Sequence, residues 1–171
     1  VSRFARIDSP LVAAVNGVAA GGGFGLACMA DVVLAAESAR FCAAYTRSGL
    51  AADTSTTYFL PRMVGMRRAA ELLLTNPTLS ASEAAACGLV TRVVPDEKLL
   101  AESTALATEL AAGATRAYGL VKKLLQSSFG ETLESQMEYE ARAIAESARS
   151  EDVAEGIRAF SEKRKPVFRG R

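Results

Sequence analysis

Asn16-Gly17-Val18-Ala19-Ala20-Gly21-Gly22-Gly23 is the stretch on which the reading of this chain turns. The apolar run Leu11 to Val15 before it reads as a buried strand, and Phe24 to Ala30 after it as a short buried helix. A strand end running into a glycine-rich helix start exposes backbone N–H groups that have no partner inside the helix. The positive end of the helix dipole lies behind them. Such a place can bind a phosphate or an oxygen on which negative charge develops. Tight packing of a small-residue helix is the other reading of the same residues. The dinucleotide fingerprint fails on spacing: Gly21-x-Gly23 is followed by Leu26 and Gly23-x-Gly25 by Cys28, where glycine is required. No lysine follows to make a Walker phosphate loop.

Outward from this stretch, short apolar runs alternate with turns of small residues. Asp31 to Ala36 reads as a strand rich in Val and Leu, and Arg40 to Tyr45 as another, giving an α/β pattern. Ala51 to Thr57 reads as a polar loop, and Pro61 is expected to interrupt any long helix across Tyr58 to Val64. Arg67 to Leu74 has helical composition. Ser80-Ala81-Ser82-Glu83 spells a capping box, Gly88 is placed to end the helix it opens, and Leu89 to Val94 reads as a strand stopped by Pro95. From Asp96 onward the pattern is helical, over Leu99 to Ala112, over Ala117 to Ser127, and along a stripe of Leu133, Met137, Ala141, Ile144 and Ala148. Such stripes are core or subunit interface. Glu151 and Asp152 fall in the first turn of a last helix, where acidic groups suit the dipole.

Composition narrows the function classes. The 171 residues are 50% hydrophobic, enough for one compact core. The net charge of +1 gives no field that points to nucleic acid. Asp31, Glu37 and Arg40 break the longest apolar stretches, so no membrane span is expected, and Val1 to Arg6 is too short and polar for a secretory signal. Cys28, Cys42 and Cys87 show no zinc spacing and read as buried free thiols of a reducing cytoplasm. Histidine is absent, which removes Ser-His-Asp and Cys-His machinery and most histidine metal sites. Proton transfer must then use carboxylate, Tyr, Lys, Cys or backbone amides. No metal and no cofactor are expected.

The run from Ser9-Pro10 through Gly21-Gly22-Gly23, followed by Leu26-Ala27-Cys28-x-x-Asp31, resembles the signature of the enoyl-CoA hydratase/isomerase (crotonase) family. Further matches follow in order: Ala39-x-Phe41, Gly49-Leu50, Leu60-Pro61-Arg62-x-Val64-Gly65, Ala84-x-x-x-Gly88-Leu89-Val90, Val93-Val94-Pro95 and Phe160-Ser-Glu-Lys163-Arg-Lys. The resemblance covers essentially the whole chain. It implies a spiral of ββα turns over residues 1–95, with earlier turns expected ahead of Val1, and a helical trimerisation region over 96–171. It also implies an acyl-CoA substrate, a homotrimer or hexamer, and a thioester enolate held by two backbone amides. One amide would come from Gly22 and the other from a loop ahead of Val1. Gly21, Gly23, Phe24, Gly25, Tyr45 and Leu60 would line the substrate site, and Lys163 matches a position near the adenine–phosphate end of CoA. For Lys163 a solvated helix end is the plainer reading.

The resemblance also bears on which reaction is run. Family hydratases orient a water with two glutamates, whose positions match Gly25 and Tyr45 here, so both carboxylates are absent. One carboxylate remains, Asp53, in a segment that resembles the loop of enoyl-CoA isomerases and of the bacterial ring-epoxide phenylacetyl-CoA isomerase. The resemblance implies that Asp53 moves the proton in a shift of 3-enoyl-CoA to 2-enoyl-CoA, within an apolar pocket of Phe24, Tyr45 and Leu60. The family's usual Pro and Gly are replaced here by Ala51-Ala52 and Thr54-Ser55-Thr56. Read from the residues alone, Asp53 is a helix cap whose side chain accepts the N–H of Ser55 or Thr56. Tyr45 reads as packing or pocket lining, and Asp31 as structural. Two alternatives stand beside the isomerase: a binding or scaffold protein that has lost activity, and another acyl-CoA enzyme such as a thioesterase or dienoyl-CoA isomerase.

Overall fold

The computed structural model describes residues 1–171. Six short strands are ordered β1 (Val12–Val15), β2 (Val18–Ala20), β3 (Val32–Ala36), β4 (Arg40–Cys42), β5 (Leu79–Ser80) and β6 (Arg92–Val94). Nine helices accompany them: α1 (Ser2–Ala5), α2 (Gly22–Met29), α3 (Thr56–Val64), α4 (Met66–Thr75), α5 (Ala81–Ala86), α6 (Leu99–Ala111), α7 (Thr115–Ser127), α8 (Leu133–Ser147) and α9 (Glu151–Ser161). The chain forms two compact units, one of Val1–Ala5 with Leu11–Ala105, the other of Arg6–Pro10 with Leu106–Arg171.

In the first unit a strand–strand–helix order occurs twice. β1, β2 and α2 make one turn; β3, β4 and, after a loop, α3 make the next. Successive turns stack strand on strand in parallel, with Val12 beside Val32 and Val18 beside Arg40. The result is two three-stranded sheets, β1-β3-β6 and β2-β4-β5. β5 alone is antiparallel, pairing Leu79 with Phe41. Parallel strands covered on both faces need continuous apolar sequence, and β3 supplies it: Val33 to Ala36 are all buried. Asp31 ties β1 to β3 where they begin. Its carboxylate accepts the Leu11 N–H at 2.7 Å while its own N–H donates to the Leu11 carbonyl at 2.9 Å.

Several boundaries differ from the sequence reading, each for a local reason. Val18–Ala20 carries no strong strand signal of its own, and its pairing with β4 makes β2 a strand. β4 ends at Cys42 because Ala44 turns into the left-handed region (φ 59°) and Tyr45 opens a 3-10 turn over Thr46–Ser48. α3 runs through Pro61 rather than stopping there. Proline costs the bond to the Thr57 carbonyl, but Thr57 is exposed to water. Leu89 and Val90 are buried without belonging to a strand, because both amides donate to the Ala84 carbonyl (2.9 and 3.2 Å) once Gly88 has turned at φ +84°. The capping box forms with both arms: Glu83 N–H to the Ser80 hydroxyl at 3.3 Å, and Ser80 N–H to the Glu83 carboxylate at 2.7 Å.

In the second unit α7 and α8 form a hairpin. Gln136 donates to the Leu124 carbonyl at 3.0 Å, and Arg116 pairs with Glu146 at 3.2 Å. Asp8 packs against Gly119 so closely that a Cβ there would sit 2.8 Å from it. Asp152 does more than complement a dipole. It is buried, and its carboxylate accepts the N–H groups of Arg169 (2.6 Å) and Gly170 (2.8 Å), fastening the C-terminal tail to α9. The α8 stripe is not core within this chain: Leu133, Met137 and Ile144 are 58–71% exposed. No helix is long and apolar enough to cross a membrane.

Candidate active site

The glycine turn has the geometry its sequence implies. Gly21 adopts φ 53°, ψ −120°, open to glycine and costly for other residues, and its N–H donates to the Cys42 carbonyl at 3.2 Å. That bond fixes the turn to the end of β4. The first intrahelical bond is Gly25 N–H to the Gly21 carbonyl at 3.0 Å. The N–H groups of Gly22 and Gly23 therefore have no helical acceptor, and both residues are exposed. Gly23 also borders an open apolar groove of about 320 Å³ along α2 and β1, lined by Phe4, Leu11, Val12, Leu26 and Ala30 among others.

The loop from Ala51 to Ser55 lies over this turn. Thr54 Oγ1 would be 3.6 Å from a Cβ on Gly22, and it donates to the Asp53 carboxylate at 2.7 Å. The Thr54 side chain thus lies beside the glycine turn, and its hydroxyl bonds the one candidate carboxylate. Asp53 is not the cap of α3. Its backbone carbonyl, not its side chain, accepts the Thr56 N–H (2.9 Å), and the capping position is Ser55, without a side-chain bond. The reason is conformational: Thr54 and Ser55 both stand at positive φ (52° and 58°), which turns the Asp53 side chain away from the helix end. Asp53 is also exposed rather than enclosed by apolar groups.

Phe24 and Leu60 are 1% and 0% exposed, so they support the site from the core beneath instead of forming its wall. Tyr45 is buried too. Its hydroxyl meets the Thr56 hydroxyl at 3.1 Å and donates to the Asp53 carbonyl at 3.5 Å, clamping the loop from below. Burial raises the Tyr45 phenol above its ordinary value, against the opposing effect of the Thr56 hydrogen bond, so it is a proton holder at neutral pH. Gly25 is buried, and a Cβ on it would fall 2.6 Å from Thr56 Oγ1 and 2.7 Å from Thr54 Cβ. The space a longer side chain would need at this position is filled by two threonines.

Thr54 and Thr56 contribute side chains to the site that the sequence reading does not single out, since the segment reads as polar loop and Thr56 only as an N–H donor to a cap. The available signal was the hydroxyl-rich run beside Asp53, together with a glycine where a side chain was expected. Lys163 lies in the second unit, exposed at the end of α9, in the left-handed conformation (φ 54°) and outside any ion pair, whereas Arg164 beside it pairs with Glu155 and Glu162. Of the cysteines, Cys28 and Cys42 are buried and Cys87 is half-buried. No three His, Cys, Asp or Glu side chains gather as a metal site.

Stacked ββα turns, whose strands pair into two sheets, with an exposed glycine helix start define the crotonase fold, and solved structures match it closely. An enoyl-CoA hydratase/isomerase structure from Mycobacterium abscessus superimposes with a TM-score of 0.96 at 38% identity, over 99% of this chain and 65% of that one. One from Cupriavidus metallidurans gives 0.94 at 37% identity, over 99% and 64%. The enoyl-CoA hydratase/isomerase family profile matches residues 1–171, and the chain belongs to that family. Relatives include a probable enoyl-CoA hydratase of Rhodobacter capsulatus, 46% identical over 95% of this chain and 63% of its own length. A 1,2-epoxyphenylacetyl-CoA isomerase of Escherichia coli is 41% identical over 100% and 65%. A 4-chlorobenzoyl coenzyme A dehalogenase of an Arthrobacter species is 40% identical over 95% and 59%. The chain thus spans about three-fifths to two-thirds of the length of these relatives.

Proposed function

We propose that the protein is an acyl-CoA isomerase that shifts a double bond from 3-enoyl-CoA to 2-enoyl-CoA through an oxyanion-stabilised dienolate. One observation carries this reading: a single carboxylate, Asp53, accepts from the Thr54 hydroxyl beside the glycine turn, while Thr54 and Thr56 close the space beside Gly25 where a second carboxylate would act. A double-bond shift needs one group to remove a proton at C2 and return it at C4, so one carboxylate is enough. Hydration needs groups that hold and activate a water, and Gly25 and Tyr45 supply no carboxylate for it.

In this mechanism the thioester oxygen accepts the Gly22 N–H, with the positive end of α2 behind it, and that bond strengthens as charge moves onto the oxygen. Asp53 takes the C2 proton; the C–H electrons enter the dienolate; the neutral carboxyl then gives the proton to C4. The Rhodobacter capsulatus relative is named a probable enoyl-CoA hydratase and the Escherichia coli relative a 1,2-epoxyphenylacetyl-CoA isomerase, so the choice of isomerase rests on the carboxylates of the site. No cofactor or metal enters the scheme, and CoA is part of the substrate. We place the protein in the cytoplasm as a homotrimer or hexamer, and the exposed α8 stripe supports burial against other copies. Light scattering that returns only monomer for the full-length protein refutes the assembly.

The test of the chemistry is Asp53→Asn in the full-length protein, assayed on 3-enoyl-CoA. Turnover should fall on the order of a hundredfold or more, the usual scale for a general acid–base group, with the melting temperature held. Full turnover by the variant refutes the mechanism. Fast formation of 3-hydroxyacyl-CoA from 2-enoyl-CoA by the unaltered protein would establish a hydratase instead.

A further inference from the structure

We propose that Thr54 is a positioning residue that fixes the Asp53 carboxylate and selects which of its oxygens carries the proton. This rests on the isomerase reading above. Thr54 Oγ1 donates to Asp53 Oδ1 at 2.7 Å. With Oδ1 so engaged, Oδ2 is assigned to the substrate; the Tyr45 hydroxyl also interacts with this carboxylate. The bond also survives the reaction: when Oδ2 holds the proton, Oδ1 is the carbonyl-like oxygen and still accepts. The hydroxyl therefore holds the carboxylate in one orientation through both proton transfers, which is what a group that leaves a proton at C4 after taking one at C2 requires.

The Thr54 side chain is itself held. Atoms Cβ and Cγ2 pack on Gly25, where a Cβ would lie 2.7 and 3.0 Å from them, and Oγ1 stands 3.6 Å from the same point on Gly22. Tyr45 and the buried Thr56 grip the loop from the other side, at the Asp53 carbonyl and the Thr56 hydroxyl. The position is occupied at a cost. A β-branched residue at φ 52°, followed by Ser55 at φ 58°, is a strained pair that glycine would adopt freely. Strain held in place by packing on both sides, at a residue whose hydroxyl contacts the candidate base, points to a role for the hydroxyl.

The experiment compares Thr54→Val, Thr54→Ser, Thr54→Gly and Asp53→Asn in the full-length protein, with kcat, KM and melting temperature read for each. Thr54→Val keeps the shape and branching but removes the donor. It should lower kcat about tenfold with KM nearly unchanged, the scale of one hydrogen bond. Thr54→Ser restores the hydroxyl and should restore kcat. Thr54→Gly relieves the strained φ, so it should lose kcat while melting no lower, and it carries the test if Thr54→Val does not fold. Wild-type kcat in Thr54→Val, or in Thr54→Gly where Val fails to fold, overturns the proposal; so does a loss that Thr54→Ser leaves unrepaired. If Asp53→Asn is inactive while Thr54→Val behaves as wild type, only this inference falls. If Asp53→Asn keeps its turnover, the isomerase mechanism falls and this inference with it.

Discussion

Replacing Gly25 by alanine tests how firmly the threonine loop is seated on α2. The added Cβ would meet Thr56 Oγ1 at 2.6 Å, Thr54 Cβ at 2.7 Å and Thr54 Cγ2 at 3.0 Å, all inside van der Waals contact. Neither threonine can swing aside cheaply. Thr56 is fully buried and bonded to Tyr45, and Thr54 is bonded to Asp53. Overpacking of this kind costs ~1–3 kcal/mol, while exchanging glycine for alanine in a helix returns up to ~1 kcal/mol, so Gly25→Ala should be destabilising by ~1–2 kcal/mol. For a chain of this size that corresponds to a fall in Tm of ~2–8 °C. Gly23→Ala is the matched control. Nothing lies within 4 Å of its Cβ, so it should leave stability unchanged or raise it slightly. The chain has no tryptophan, so thermal and urea melts followed by far-UV circular dichroism are the assay. Adding Thr54→Gly to Gly25→Ala should recover part of the loss, giving a coupling energy between the two sites. If Gly25→Ala melts with Gly23→Ala, and the double variant shows no coupling, the loop is not packed on α2 as described.

Tyr45→Phe strips the buried Thr56 hydroxyl of its partner and should cost ~1–2 kcal/mol while keeping most turnover; a loss above ~100-fold with stability intact would instead make Tyr45 a proton-transfer group. The Glu155 carboxylate is held at about 2, chiefly by the Arg164 hydrogen bonds and then by the Val167 N–H. Because this folded-state value is depressed, the tail contacts are complete above the ordinary carboxylate range and are lost as pH falls toward about 2. The Val167 amide shift in NMR should follow that low midpoint, and a midpoint near 4.5, the ordinary glutamate value, refutes the contact. Burial pushes the Cys28 thiol up to about 12, so a thiol reagent at neutral pH should modify the half-buried Cys87 first and Cys28 only on unfolding, read by peptide mass spectrometry. Lys163→Glu in the full-length protein should weaken CoA binding at low salt, and an unchanged Kd there would mean Lys163 is only solvated.

Where the signal is local, the amino-acid sequence was sufficient. The glycine triplet opening α2, the Val-rich β3, the capping box on α5 and the helical periods of α6 to α8 each depend on residues within a turn or two of one another. The ordered blocks from Ser9 to Lys165 carry the family, and the lack of histidine by itself narrows the chemistry. Tertiary structure decided what depends on residues far apart in the chain. β2 is a strand only because β4 lies beside it, and Leu89-Val90 is buried without being a strand because Gly88 turns both amides onto Ala84. Asp152 looked like a dipole partner until the tail, some eighteen residues on, was found bonded to it. The Asp53 loop is the sharpest case. Aspartate before a helix signals a cap when only neighbours are counted, but two left-handed residues turn its side chain elsewhere, and those residues are held by packing on Gly25 and by Tyr45. A backbone conformation that costs energy locally can be read only from the distant contacts that hold it.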